Sequence, residues 1–151
     1  MKLTRRQALG LSAGAVTLAV TGLGGRPALA GKPEADKLIS DFAGGKTPMA
    51  GKIALTAPEI AENGNTVPVS VSVESAMSGD DMVDSIMIIA EANPNPGVAT
   101  FHFTALSGAA TATTRMRLAK TQNVIAVAKM ADGSVYMDSK EVKVTIGGCG
   151  G

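Results

Sequence analysis

The chain has no tryptophan, one tyrosine and three phenylalanines, so any buried core must be built from Val, Ile, Leu, Met and Ala. It has a single histidine, His102, and a single cysteine, Cys149. Two soft side chains are too few for a zinc or copper centre, and the missing Cys-x-x-Cys-His excludes attached haem, so no metal or cofactor is expected. Asp80, Asp81 and Asp84 follow Ser78-Gly79 but lack the ligand spacing and terminal Glu of a calcium-binding loop; they read as a polar turn. There is no run of Lys or Arg, which removes nucleic acid and anionic membrane as partners. One cysteine also excludes a disulfide within the chain.

What is present begins with Thr4-Arg5-Arg6-Gln7-Ala8-Leu9, a twin-arginine pattern followed by an apolar stretch from Leu9 to Leu23 that glycines interrupt. Ala28-Leu29-Ala30 then supplies a small-x-small cleavage site before Gly31. Residues 1–30 read as a twin-arginine (Tat) export signal, and the expected location is the periplasm. The apolar stretch is short and moderate beside the roughly 20 residues of a membrane span. Removal of residues 1–30 takes Lys2, Arg5, Arg6 and Arg26 and no acid, so the formal charge falls from +1 to −3. The 121 residues that remain suffice for one domain, 31–151, with one aliphatic core.

That domain opens with a helical pattern. Pro33 suits a first turn, Glu34 and Asp36 suit the positive end of the helix, and Ala35, Leu38, Ile39 and Phe42 recur on one face before Gly44-Gly45 stops it. After Met49 the period becomes two, most plainly where Val67, Val69, Val71 and Val73 alternate with Pro68, Ser70, Ser72 and Glu74. Further strands are expected at 83–90, 98–105, 112–118, 124–130 and 135–146, with a weaker one at 53–56. Seven short strands fit a β-sandwich. Asp132-Gly133 marks a hairpin, and Asn93-Pro94-Asn95-Pro96-Gly97 a rigid turn. Val124 to Ala128 is apolar on both faces, so its outer side should be covered by a helix, a loop or a partner chain. On the 98–105 strand His102 shares a face with Thr100 and Thr104, which makes it a solvated polar position.

The informative segment is Gly147-Gly148-Cys149-Gly150-Gly151. Buried structural cysteines sit among apolar neighbours inside elements, not between glycine pairs. The glycines read as a flexible arm that neither continues a strand nor packs. With Cys149 three residues beyond Ile146, at about 3.3–3.6 Å per residue, the thiol would stand on the order of 10 Å from the folded body. An exported single cysteine means an intermolecular bond, a free thiol or a carried adduct. No base or cation lies in the tail to activate the thiol, and at an ordinary pKa near 8.5 only a few per cent would be thiolate at neutral pH. The chemistry is therefore expected from other proteins, and this chain is read as a covalent carrier rather than an enzyme.

A terminal Gly147-Gly148-Cys149-Gly150-Gly151 on an exported small domain resembles the SoxY family, sulfur carriers of the bacterial thiosulfate-oxidising Sox system. The resemblance extends to the twin-arginine signal with Thr4-Arg5-Arg6 and to the stretch from Asn93 to Phe103. It implies an all-β, immunoglobulin-like antiparallel sandwich with a short N-terminal helix, paired with SoxZ. It further implies that Cys149 holds the sulfur, with Gly147, Gly148, Gly150 and Gly151 as the arm. SoxXA would couple thiosulfate to the thiol as a cysteine S-thiosulfonate. SoxB would then release sulfate and leave a cysteine persulfide, which SoxCD oxidises further where present.

Two other classes compete on the residues alone. A ubiquitin-like carrier would use a terminal Gly150-Gly151 thiocarboxylate made with ATP, which is absent outside the cytoplasm. A structural sandwich could dimerise through Cys149, which non-reducing electrophoresis would reveal.

Overall fold

Helix α1 (Lys32–Ala43) forms where the sequence pattern places it. Gly44 and Gly45 take φ of 62° and 79°, a left-handed conformation that ends the helix as the Gly45 N–H bonds the Ser40 carbonyl at 3.0 Å. The structure, a computed structural model, describes residues 32–148. The expected export signal and cleavage site, and Cys149, Gly150 and Gly151, lie outside the described residues.

Eight strands follow: β1 (Ile53–Thr56), β2 (Ile60–Asn63), β3 (Val67–Val73), β4 (Val83–Ala90), β5 (Gly97–His102), β6 (Ala110–Met116), β7 (Gln122–Met130) and β8 (Val135–Ile146). They form a three-stranded sheet, β1-β3-β6, and a five-stranded sheet, β2-β8-β7-β4-β5. The result is an immunoglobulin-like β-sandwich. The β3 alternation is realised as read, with Val67, Val69, Val71 and Val73 buried between the sheets. Pro68, which has no N–H, lies in the middle strand of its sheet. It is accommodated because β1 pairs only Ser70 to Val73, so the start of β3 has β6 on one flank and no strand on the other.

The central pair β4 and β7 is buried on both faces. Ile86, Ile88, Val124, Ala126 and Ala128 enter the core between the sheets. Met87, Ile89, Ile125 and Val127 point the other way and pack beneath Ala35, Leu38, Ile39, Phe42 and Ala43 of α1. The chain's own helix thus covers the second apolar face of β7, and that face offers no seat to a partner chain.

The predicted hairpin between β7 and β8 is present. Gly133 has φ of 81°, and the Asp132 carboxylate accepts the Ser134 N–H at 2.7 Å and its hydroxyl at 2.6 Å. These bonds hold the Asp132 carboxyl below the usual carboxylate range. The Asn93–Pro96 segment joins β4 to β5 as a turn, closed by the Ala90 N–H on the Pro96 carbonyl at 2.8 Å. His102 ends β5 and is exposed.

Several bounds and one strand differ from the sequence reading; β5 begins one residue early, at Gly97, and β7 two residues early, at Gln122. β5 stops at His102, because Thr104 and Ser107 exchange side-chain and backbone bonds around a 3₁₀ turn, Ala105–Ser107. β6 begins two residues earlier than expected and ends at Met116. β2 was not anticipated: it has four residues with only Ala61 buried, too short to display a period, and it runs parallel to β8, so the five-stranded sheet is mixed. On the surface Lys52 bonds Asp81 at 2.7 Å and lies 5.8 Å from the centre of the Tyr136 ring. The lysine, followed by the Ala76 N–H, lowers the Asp81 pKa.

Two predictions follow from this packing. Ile88 and Ile89, both fully buried, face opposite layers, and truncation of either to Ala should cost about 2–5 kcal/mol in urea unfolding. A surface-sized loss for Ile89→Ala would show that α1 does not dock there. For Asp81, a carboxyl held below its unfolded pKa contributes stability above the ordinary Asp range and loses it as pH falls through the depressed value. Unfolding midpoints of wild type and Asp81→Asn should therefore differ modestly at pH 6 and converge in acid, and added salt should reduce the difference.

Candidate functional site

The segment bearing the carrier signature leaves the sandwich at the end where β2 and β8 run side by side. Beyond Asn63 and Ile146, which are paired, the two strands do not simply fray. The Gly64 N–H donates to the Ile146 carbonyl at 2.7 Å, the Leu118 N–H donates to the Gly64 carbonyl at 2.8 Å, and the Gly148 N–H donates to the Leu118 carbonyl at 2.9 Å. Three backbone bonds thus tie the root of the tail to the chain that follows β6. Leu118 is fully buried in the core between the sheets, so the partner of Gly148 is itself fixed by packing. The Asn63 side chain accepts the Asn65 N–H at 2.9 Å and shapes the turn that carries Gly64.

The connection from β6 to β7 is held from beneath by two buried amides, Asn93 and Gln122. Asn93 donates through Nδ2 to the Arg117 carbonyl at 2.8 Å and accepts the Ala119 N–H at 3.0 Å through Oδ1. Gln122 donates through Nε2 to Asn93 Oδ1 at 2.8 Å and to the Lys120 carbonyl at 3.0 Å, and accepts the Ala92 N–H at 2.8 Å. Each buried amide meets its partners, and no buried side-chain nitrogen or oxygen among the described residues lacks one. The Thr121 hydroxyl adds a bond from the Val144 N–H at 2.9 Å, joining this connection to β8. Arg117 and Lys120, both exposed, stand in sequence on either side of Leu118 and Ala119.

Of the residues singled out by sequence, Gly147 and Gly148 are therefore part of the folded body, and Gly148 is buried. The expected break after Ile146 is displaced by two residues: the body reaches Gly148, one peptide before Cys149. Cys149, Gly150 and Gly151 lie beyond the described residues. Gly64, Asn93, Leu118 and Gln122 were not anticipated at this site. Asn93 was read as a turn residue and as the first of the stretch that carries the resemblance, and Leu118 as the end of a strand; their roles here, like those of Gly64 and Gln122, depend on partners distant in sequence.

A shallow recess of about 330 Å³ beside the end of β1 is lined by Thr56, Ala57, Pro58, Pro68, Val69, Ser70 and Thr113, none of them an acid or a base. No group of three His, Cys, Asp or Glu side chains converges among the described residues in a way that would hold a metal ion. No helix among them is long and apolar enough to cross a membrane.

Comparison with known proteins agrees with this fold. The structure of the sulfur carrier protein SoxY from Chlorobium limicola f thiosulfatophilum is 34% identical, with a TM-score of 0.62 over 73% of this chain and 90% of that one. Superoxide reductases from Ignicoccus hospitalis, 21% identical with a TM-score of 0.53 over 62% and 80% of the two chains, and from Nanoarchaeum equitans, 11% identical with a TM-score of 0.53 over 63% and 99%, share the fold alone. No curated protein matches. The family model described as sulfur oxidation protein SoxY matches residues 39–149, from the second turn of α1 to the cysteine itself, and the chain accordingly belongs to the SoxY family.

Proposed function

We propose that this protein is a sulfur carrier of thiosulfate oxidation that holds its cargo covalently on Cys149. The observation that carries the reading is that the family match runs to Cys149 while the three backbone bonds at Gly64, Leu118 and Gly148 bring the folded body to the residue before it. A rigid sandwich that ends at a thiol can present that thiol to other proteins without itself supplying an acid, base or metal.

The chemistry follows from the thiol. Coupling to thiosulfate forms one S–S bond, releases the thiol proton and passes two electrons to an oxidising partner, leaving a cysteine S-thiosulfonate. Water then attacks the terminal sulfonate sulfur and cleaves its bond to the neighbouring sulfur. Sulfate leaves with a proton, and the persulfide stays on Cys149. In the Sox system these partners are SoxXA and SoxB, with SoxCD removing further electrons from the persulfide sulfur where it is present. Glycine at 150 keeps side-chain bulk away from the sulfur when it enters a narrow active site.

The same reading assigns residues 1–30 to a Tat signal, residues 31–151 to the mature domain and the mature protein to the periplasm. SoxZ is its partner subunit and seats elsewhere than on the apolar face of the five-stranded sheet, which α1 already covers. A route that accepts folded cargo allows the two subunits to cross together on one signal; export of each by its own signal would remove that part.

Intact mass of the mature protein from thiosulfate-grown cells tests the proposal. A thiosulfonate or sulfane adduct is expected on wild type, is released by mild reductant and is missing from Cys149→Ser. Unmodified wild-type monomer under turnover would overturn the carrier reading.

A further inference from the structure

Glycine at Gly64, Gly147 and Gly148 is required for a reason different from the one its place in a tail suggests. None of the three has a left-handed φ, whereas Gly44, Gly45 and Gly133 do. What the three share is lack of room. A Cβ on Gly64 would lie 2.2 Å from the Leu118 carbonyl oxygen, 2.7 Å from the Gly148 nitrogen and 3.0 Å from Val144 Cγ1. One on Gly148 would lie 2.7 Å from the Gly64 oxygen, and one on Gly147 2.2 Å from the Ala119 oxygen. These neighbours are almost all backbone, and the Leu118–Ala119 backbone is pinned by the core and by Asn93, so they cannot yield to a side chain.

We infer that Gly64 is a positioning residue for the carried sulfur: by leaving space for Gly148 against Leu118 it fixes the root of the arm, and with it the point from which Cys149 departs. The sulfur-carrying consequence rests on the function proposed above; the anchoring does not. With Gly148 held, the free part of the tail starts after Gly148 rather than after Ile146, which takes two residues, at about 3.3–3.6 Å each, out of its reach. A side chain at position 64 breaks the anchor from the far side of the contact and returns Gly147 and Gly148 to the arm, lengthening it by two residues while the thiol and its adjacent glycines are untouched. Gly64 thereby acts on the sulfur through Gly148, without touching it.

Two measurements on the mature protein test this. The first needs no variant: amide hydrogen exchange followed by NMR should show the Gly148 N–H protected by about 100-fold or more over an unstructured chain, as for an amide inside cooperative structure. Exchange of that amide at the unstructured rate would overturn the anchor. The second uses the single thiol, which directs a nitroxide label to Cys149 alone. Gly64→Ala and Gly148→Ala, which open the contact from opposite sides, should each sharpen the label's spectrum toward faster motion, whereas Ser72→Ala on the exposed face of β3 should leave it as in wild type. Equal spectra in all four folded proteins would sink the assignment. If Gly64→Ala does not fold, Gly148→Ala and the exchange rate decide. A protected Gly148 in a protein that forms no sulfur adduct would leave the anchor standing and remove the carrier reading; an adduct on a protein with an unprotected Gly148 would do the reverse.

Discussion

Burial of β7 on both faces is the constraint around which the molecule is arranged. Val124, Ala126 and Ala128 demand one apolar layer and Ile125 and Val127 another, so a three-stranded sheet must lie on one side and a helix on the other. With no tryptophan and few other aromatics, these aliphatic layers supply the hydrophobic stabilisation, at about 25 cal/mol for each Å² of apolar surface removed from water. The helix is short and would be marginal alone; docking on β4, β7 and β8 is what makes it a stable element. The order of the sheet then puts β8, a neighbour of β7, in position to carry the chain out of the sandwich beside β2.

The polar part of the fold solves a different problem. The chain from Met116 to Gln122 must cross from one sheet to the other and needs partners for its backbone groups. Asn93 and Gln122 provide them from inside, accepting and donating at 2.8–3.0 Å. A fully satisfied buried network is rigid, because each member would leave another unpaired if it moved. That rigidity extends to Leu118 and Ala119, where the last two described residues of the chain rest. The hydrophobic core and the amide network therefore converge on one short stretch of backbone.

Elements with a strong local signal were legible from sequence: the period-two valines of β3, the 3.6-residue stripe of α1 with its Gly44-Gly45 stop, the Asp132-Gly133 turn, and the resemblance to the SoxY family. What escaped was determined by partners far along the chain. β2 exists because β8 offers it an edge, and Ile60–Asn63 carries no alternation of its own. The doubly apolar face of β7 was recognised, but periodicity could not tell a covering helix from a covering subunit. Gly147 and Gly148 looked like slack because glycine is common in free chain. Their close approach to Gly64 and Ala119 is a property of the folded neighbours, which a reading confined to the five residues could not contain. Gly64 itself sits in Asn63-Gly64-Asn65, a sequence that reads as an ordinary turn.

Pro68 has a bearing on how this protein behaves in the company of other β-rich chains. The start of β3 has a strand on one flank only, and a bare flank is a template on which a stray strand, including one from another copy, can grow. A proline there leaves the template one hydrogen-bond donor short, and the ring adds bulk that disfavours a flat approach. The missing donor discourages strand addition at this flank, helping to keep the molecule free for selective encounters made elsewhere on its surface.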